Sequence, residues 1–221
     1  MKRVLIVSGG SIDDAFSLAW LEQHKYDLTI AADSGMSFFF QNGLVPDVIA
    51  GDFDSVERDA YRCWVEGVSS NVEKPEILRL NPVKDDTDTE FVIREAIRRG
   101  ATSITILGGT GTRLDHGMAN VHLLGIGLEC GVEIELVDAH NRIRMISKEL
   151  VIEKESQFGD FVSILPFGGD AQGVTLEGFQ YPLEDVTVKA FSSLGISNEI
   201  IEEQALIRVK DGVLLVIEAR D

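Results

Sequence analysis

Basic residues are scarce: 20 lysines and arginines stand against 37 acidic residues, a formal net charge of −17. Such a surface repels nucleic acid phosphates and anionic lipid, so neither is an expected partner. It still admits a small anionic substrate, provided that metal ions or a local basic group screen it. Most of the charges read as a solubilising surface. Cysteine is equally thin. Cys63 and Cys130 lie far apart, and the expectation is reduced, partly buried thiols rather than a disulfide. No apolar run approaches the ~20 residues of a membrane-spanning helix. The N-terminal "MKRVLIVSGG" has a basic start, but its apolar stretch is only Val4 to Val7, too short for a secretory core. A first buried strand in a cytoplasmic protein is expected instead. There is no internal repeat and no low-complexity segment.

What is present is a chain of 221 residues, 44% hydrophobic, enough for one large domain or two modest ones. Its first part alternates strand and helix signals. "RVLIVSG", "DLTIAAD", "PDVIAGDFDS", "EILRLN", "SITILGG" and "VEIELVD" read as strands. "DAFSLAWLEQH", "SGMSFFFQNG", "TEFVIREAIRRG" and "RLDHGMANVHLLGIGLECG" read as the helices between them. That alternation predicts an α/β unit: an open, mostly parallel sheet flanked by helices. After about residue 138 the pattern changes to short β segments, "RIRMIS", "LVIEK", "FVSILPF", "GVTLEG", "ALIRVK" and "VLLVIEA". These predict a C-terminal antiparallel β-sandwich. The expected domains are 1–138 and 139–221.

Polar residues gather where the predicted parallel strands end, which is where open α/β sheets bind ligands. Asp33 ends the second strand. Asp52 and Asp54 end the third in "GDFDS". Asp85, Asp86 and Asp88 follow the fourth in "VKDDTDTE". Arg113, Asp115 and His116 follow the fifth in "GGTGTRLDH". Each group also has a plain structural reading. Asp33 can turn the chain with Gly35. Thr87 can cap a helix, with Glu90 completing a capping box. His116 can donate to phosphate or cap the long helix. Taken together, several aspartates on one sheet edge repel one another unless something compensates. A hard cation such as Mg²⁺ does so, and bridges carboxylates to phosphates. In an extended segment Asp52 and Asp54 share one side while Phe53 faces the other.

In order along the chain, "AADSG", "GDFDS", "KDDTDTE", "GTGTRLDHGMANVHLL", "VSILPF", "GVTLEGFQYPL" and "GISNE" resemble the thiamine pyrophosphokinase family over nearly the whole sequence. Two positions depart from the family pattern. Ser34 and Thr112 stand where it usually has glycine. The resemblance implies transfer of a pyrophosphoryl group from ATP to the hydroxyl of thiamine, giving thiamine diphosphate and AMP. It implies an N-terminal nucleotide-binding domain, a thiamine-binding β-sandwich, and a homodimer with thiamine near the subunit interface.

Carried over residue by residue, Asp33, Asp52, Asp54, Asp88 and Asp115 match the family's acidic positions. Thr87 and Arg113 match polar positions near the phosphates, and Ser197 and Asn198 match positions lining the thiamine pocket. The residue types suit the chemistry. Mg²⁺ on Asp52, Asp54 and Asp88 would neutralise the phosphates. Arg113 would add a fixed cation, and Asp54, Asp88 or Asp115 would serve the reacting groups. Asp33, Thr87, Arg113 and His116 are the expected nucleotide contacts. Phe179 and Tyr181 either stack on a cationic ring or pack the sandwich. Two rival readings are a hydroxymethylpterin pyrophosphokinase with the same phosphate machinery, and a non-enzymatic nucleotide or thiamine sensor.

Overall fold

The computed structural model describes residues 1–51, 74–80, 86–111 and 113–221, which fall into two compact units, Met1–Ile134 and Glu135–Asp221. The first unit holds β1 (Arg3–Val7), β2 (Leu28–Ala32), β3 (Val48–Gly51), β4 (Glu76–Arg79) and β5 (Ser103–Leu107). With them are α1 (Asp14–Gln23), α2 (Met36–Gln41), α3 (Asp88–Arg98) and α4 (Leu114–Cys130). These strands pair in the order β4-β3-β2-β1-β5, and every pairing among the described residues is parallel. Burial explains the apolar runs. Val4, Leu5, Ile6 and Val7 are all fully buried, as strands covered on both faces must be. Each such side chain contributes roughly 1.5–3 kcal/mol.

The strand order creates the site. The chain adds β2, β3 and β4 outward on one side of β1. It then crosses back to lay β5 on the other side. The loops leaving β1 and β5 therefore part at a topological switch point, and a crevice opens beyond their carboxyl ends. Local signals fix the helices around it. Asp13 caps α1 by accepting the Phe16 N–H at 2.8 Å, and Thr87 caps α3 by accepting the Glu90 N–H at 3.2 Å. The expected capping box stays half-built, because the Glu90 carboxylate takes the Arg94 guanidinium at 2.7 and 3.0 Å. Gly131, at φ 68°, ends α4 in the left-handed conformation.

In the second unit the residues of β6 (Glu133–Val137) from Glu135 onward pair antiparallel with β7 (Asn141–Ile146). It also holds β8 (Glu149–Glu153), β9 (Phe161–Glu177), β10 (Leu183–Val188), β11 (Gln204–Arg208) and β12 (Asp211–Ala219). β9 belongs to two sheets. Phe161 to Phe167 pair with β12, which pairs in turn with β7. Farther along, β9 pairs with β10 and β11, and β11 with β8. The two inner faces meet in one core that includes Val162, Ile164, Leu214 and Val216 from one sheet and Ile152, Leu176, Ala205 and Ile207 from the other. The antiparallel sandwich follows from that arrangement.

Two details differ from the sequence reading. "FVSILPF" and "GVTLEG" form one bent strand, since Gly168 at φ 76° lets it bend rather than end. β10 was not expected. Asp185 at φ 51° and two register shifts break its alternation. One buried charge is compensated: the Glu218 carboxylate accepts from Arg144 and from the Phe158 N–H at 2.9 Å.

Candidate active site

A cleft of about 610 Å³ lies beyond the carboxyl ends of β1, β2 and β5. One wall is the loop Ser8–Ser11 after β1, and another is Gly108–Gly111 after β5. The two loops are zipped together. The Gly10 N–H donates to the Gly108 carbonyl at 2.8 Å, and the Ser11 N–H donates to the Thr110 carbonyl at 2.9 Å. Gly10 has to be glycine, because a Cβ there would sit 2.1 Å from the Thr110 oxygen and 2.4 Å from that of Gly108. Side chains tie both loops to their surroundings. The buried Ser8 hydroxyl bonds that of Thr89 at 3.0 Å, at the start of α3. Asn120, on α4, donates to the Gly109 carbonyl at 2.7 Å.

Asp33, Thr87, Asp88, Arg113 and His116 all line this cleft. Asp33 makes the turn with Gly35 and also faces the cleft. It opens a single 3₁₀ turn, Asp33–Gly35, at φ 52°, a left-handed conformation that aspartate tolerates better than most residues. Arg113 precedes α4 and is exposed. Its guanidinium donates to the Asp115 carboxylate, with Nε to Oδ1 at 3.1 Å. That hydrogen bond, chiefly, holds the Asp115 carboxyl at about 2, well below the usual carboxylate range. Asp115 is not among the residues that line the cleft; it holds Arg113 from one side. Asp86 is exposed just before α3. Asp52, Asp54, Asp85 and Thr112 lie outside the described residues.

The carboxylates of Asp33 and Asp88 offer the cleft oxygen donors of the kind that Mg²⁺ takes. Among the described residues no group of three or more His, Cys, Asp or Glu side chains gathers to hold a metal. The sequence reading missed the Ser8–Ser11 loop, Thr89 and Asn120. Its available signal was a Gly-Gly pair directly after a buried strand.

In the second unit Ser197 is exposed at φ 55°, and its N–H donates to the Ser163 hydroxyl at 2.9 Å. Asn198 is buried, at 3% exposure, and both ends of its amide are engaged by backbone. Oδ1 accepts the N–H groups of Tyr181 and Glu199, each at 3.0 Å, while Nδ2 donates to the Tyr181 carbonyl at 2.8 Å. The Asn198 amide thus clamps the chain around it. Phe179, at 3% exposure, packs in the sandwich core, whereas Tyr181 is exposed.

Residues 20–136 match the family model described as thiamin pyrophosphokinase, catalytic domain, and residues 148–214 match the one described as thiamin pyrophosphokinase, vitamin B1 binding domain. The chain belongs to the thiamin pyrophosphokinase family. A family relative, the thiamine pyrophosphokinase of Bacillus subtilis (strain 168), is 32% identical over 225 residues, with 100% of each chain covered. A crystal structure of thiamine pyrophosphokinase from Bacillus subtilis superposes with a TM-score of 0.86 at 31% identity, again over 100% of both chains. That of thiamin pyrophosphokinase from Geobacillus thermodenitrificans gives 0.84 at 27% identity, covering 99% of this chain and 98% of that one.

Proposed function

We propose that the chain transfers a pyrophosphoryl group from ATP to the hydroxyl of thiamine, releasing AMP. The observation that carries this is the switch-point cleft, in which two zipped glycine loops, Asp33, Asp88 and Arg113 surround one space in a chain of this family. Glycine loops at strand ends present backbone N–H groups to phosphate oxygens; here that part falls to the Gly108–Gly111 loop, because the Ser8, Gly10 and Ser11 N–H groups donate to the carbonyls of Leu107, Gly108 and Thr110. The thiamine hydroxyl oxygen forms a bond to the β-phosphorus. The bond from that phosphorus to the oxygen bridging to the α-phosphate breaks, and AMP leaves with the electron pair. Positioning and charge neutralisation carry most of such a transfer.

The residues take separate parts. Arg113 meets the negative charge that grows on the transferring group. As the bond forms, the hydroxyl proton passes to a carboxylate, Asp88 in the cleft or Asp115 beside Arg113. Thr87, Asp33 and His116 hold the nucleotide. Asp52, Asp54 and Asp88 would hold Mg²⁺, which when bound supplies positive charge to the phosphates. Ser197 meets thiamine. A homodimer and a cytoplasmic location belong to the same proposal. The exposed Phe191, Leu194 and Ile196 beside Ser197 support a surface that a second copy covers.

The test is one incubation of the chain with thiamine and Mg-ATP, with AMP and thiamine diphosphate measured together. Equimolar appearance of both is expected. ADP with thiamine monophosphate, or binding of both ligands without AMP, would overturn the reading. Hydroxymethylpterin in place of thiamine, under identical conditions, should give no AMP.

A further inference from the structure

We infer that Ser163 is a positioning residue: its hydroxyl holds Ser197 in the conformation that turns the Ser197 side chain outward. This rests on the reading of Ser197 as a contact to thiamine. The segment around Ser197 runs as an added edge along β9. The Val162 N–H donates to the Asn198 carbonyl at 2.7 Å, and the Asn198 N–H returns to Val162 at 3.0 Å. Two residues further along β9, the Ile164 N–H donates to the Gly195 carbonyl at 2.9 Å. Between these anchors Ser197 takes a left-handed turn, and among the described residues its N–H meets no backbone carbonyl. The Ser163 hydroxyl accepts it at 2.9 Å.

Strand geometry makes Ser163 available for this. Val162 and Ile164 are buried in the sandwich core, so the side chain between them leaves on the other face. The left-handed conformation at Ser197, φ 55°, is one that a serine adopts at a cost and only when its surroundings impose it. A glycine would take it freely. A serine there, with its side chain exposed, is explained if the hydroxyl itself is used. A hydroxyl donates and accepts at once, which suits an aminopyrimidine edge carrying an amino group beside a ring nitrogen. The Asn198 clamp fixes the far side of the turn against Tyr181. Ser163 fixes the near side.

The test compares Ser163→Ala, Ser163→Thr, Ser197→Ala and the Ser163→Ala/Ser197→Ala double variant. Loss of the acceptor should raise the KM for thiamine about five- to tenfold in Ser163→Ala. The KM for ATP and the kcat at saturating thiamine should hold within about twofold, and Ser163→Thr, which keeps the hydroxyl, should restore the wild-type KM. The double variant should be no worse than Ser197→Ala, since both act through one hydroxyl. Amide hydrogen exchange at Ser197 supplies a readout that needs no substrate: faster in Ser163→Ala, normal in Ser163→Thr. Unchanged exchange in Ser163→Ala overturns the inference. So does a parallel rise in both KM values with a fall in Tm, which would make Ser163 a packing residue, and so does additivity in the double variant. If the wild-type chain turns over no thiamine, the proposed activity fails separately, and the exchange comparison alone decides whether Ser163 holds Ser197.

Discussion

Gly10→Ala isolates the zipped loops from every charged group in the cleft. The new Cβ would start 2.1 Å from the Thr110 carbonyl oxygen and 2.4 Å from that of Gly108. Both are backbone atoms, so one loop must retreat by roughly 1 Å or more to reach van der Waals distance. That retreat stretches the two hydrogen bonds joining the loops, from Gly10 to Gly108 and from Ser11 to Thr110. At about 1 kcal/mol each, the loss is on the order of 2 kcal/mol. For a chain of this size that lowers Tm by roughly 4–8 °C. The same displacement moves the N–H groups proposed to meet phosphate, so Mg-ATP affinity should fall at least about tenfold, or 1.4 kcal/mol.

Gly9→Ala is the internal control. Its nearest obstacle, also at 2.1 Å, is the Ser34 hydroxyl, the tip of a side chain that can rotate away. Among the described residues, the hydrogen bond it puts at risk is the long one from Ser34 to the Gly9 carbonyl, 3.3 Å. Its stability cost should stay below about 0.5 kcal/mol. Differential scanning calorimetry and titration calorimetry with Mg-ATP read both variants. A Gly10→Ala chain that melts and binds Mg-ATP like wild type would refute the argument, and so would a Gly9→Ala chain that melts as early as Gly10→Ala.

Arg113→Ala should lower kcat by about 10²- to 10³-fold while weakening Mg-ATP binding less than tenfold, because a cation aimed at growing charge acts in the transition state; a rise in the KM for ATP alone would make Arg113 a ground-state clamp. The Asp115 carboxyl is held at about 2, so the Arg113–Asp115 pair is intact above the ordinary carboxylate range and lost only as pH falls through about 2. The shape of the kcat/KM profile between pH 4 and 7 should therefore be the same in Asp115→Asn as in the wild-type chain, and a changed shape would contradict that pairing. Asn198→Ala strips three backbone partners of a buried amide and should cost roughly 2–4 kcal/mol of stability, read as a lower midpoint in urea. Glu95, mostly buried, is held at about 2 by hydrogen bonds from Arg98 and then Arg99. Its folded value lies below the unfolded one, so it adds stability above about pH 4.5 that is lost as pH falls toward 2. Glu95→Gln should remove about 1 kcal/mol at pH 7, after allowance for the exposed Arg98, and almost nothing at pH 2.

The parts of this fold legible in the sequence are those whose cause is local. The runs at Val4–Val7 and Ile30–Ala32 are apolar because both faces are covered, and that leaves a mark wherever it occurs. Thr87 caps α3 with a partner three residues away, and the sequence showed it. Glu90 has two partners within reach of its helix, the Thr87 N–H behind it and the Arg94 guanidinium ahead; the charged one prevailed, since a carboxylate bonds most strongly to an ionised donor. β10 was hidden because a bulged strand loses the alternation by which strands are read.

The candidate site divides along the same line. Asp33, Asp88 and Arg113 stood out because charge near a buried strand needs a reason. The Ser8–Ser11 loop did not, because what it contributes is backbone N–H groups that hold the loop after β5, and every residue but proline carries such a group. What distinguishes such a loop is close approach, and only the fold brings Gly10 beside Gly108 and Thr110. Asn198 is the converse case. Its amide has capacity for several bonds, and a sequence displays that capacity without displaying its partner. The partner proved to be the backbone of Tyr181, 17 positions away across the sandwich edge. The Asn198 oxygen already accepts two backbone N–H groups and its Nδ2 donates to a third backbone group, whereas the Ser197 hydroxyl is exposed on a left-handed turn. Our proposal therefore places the thiamine contact in "GISNE" on Ser197, with Asn198 holding the turn that carries it.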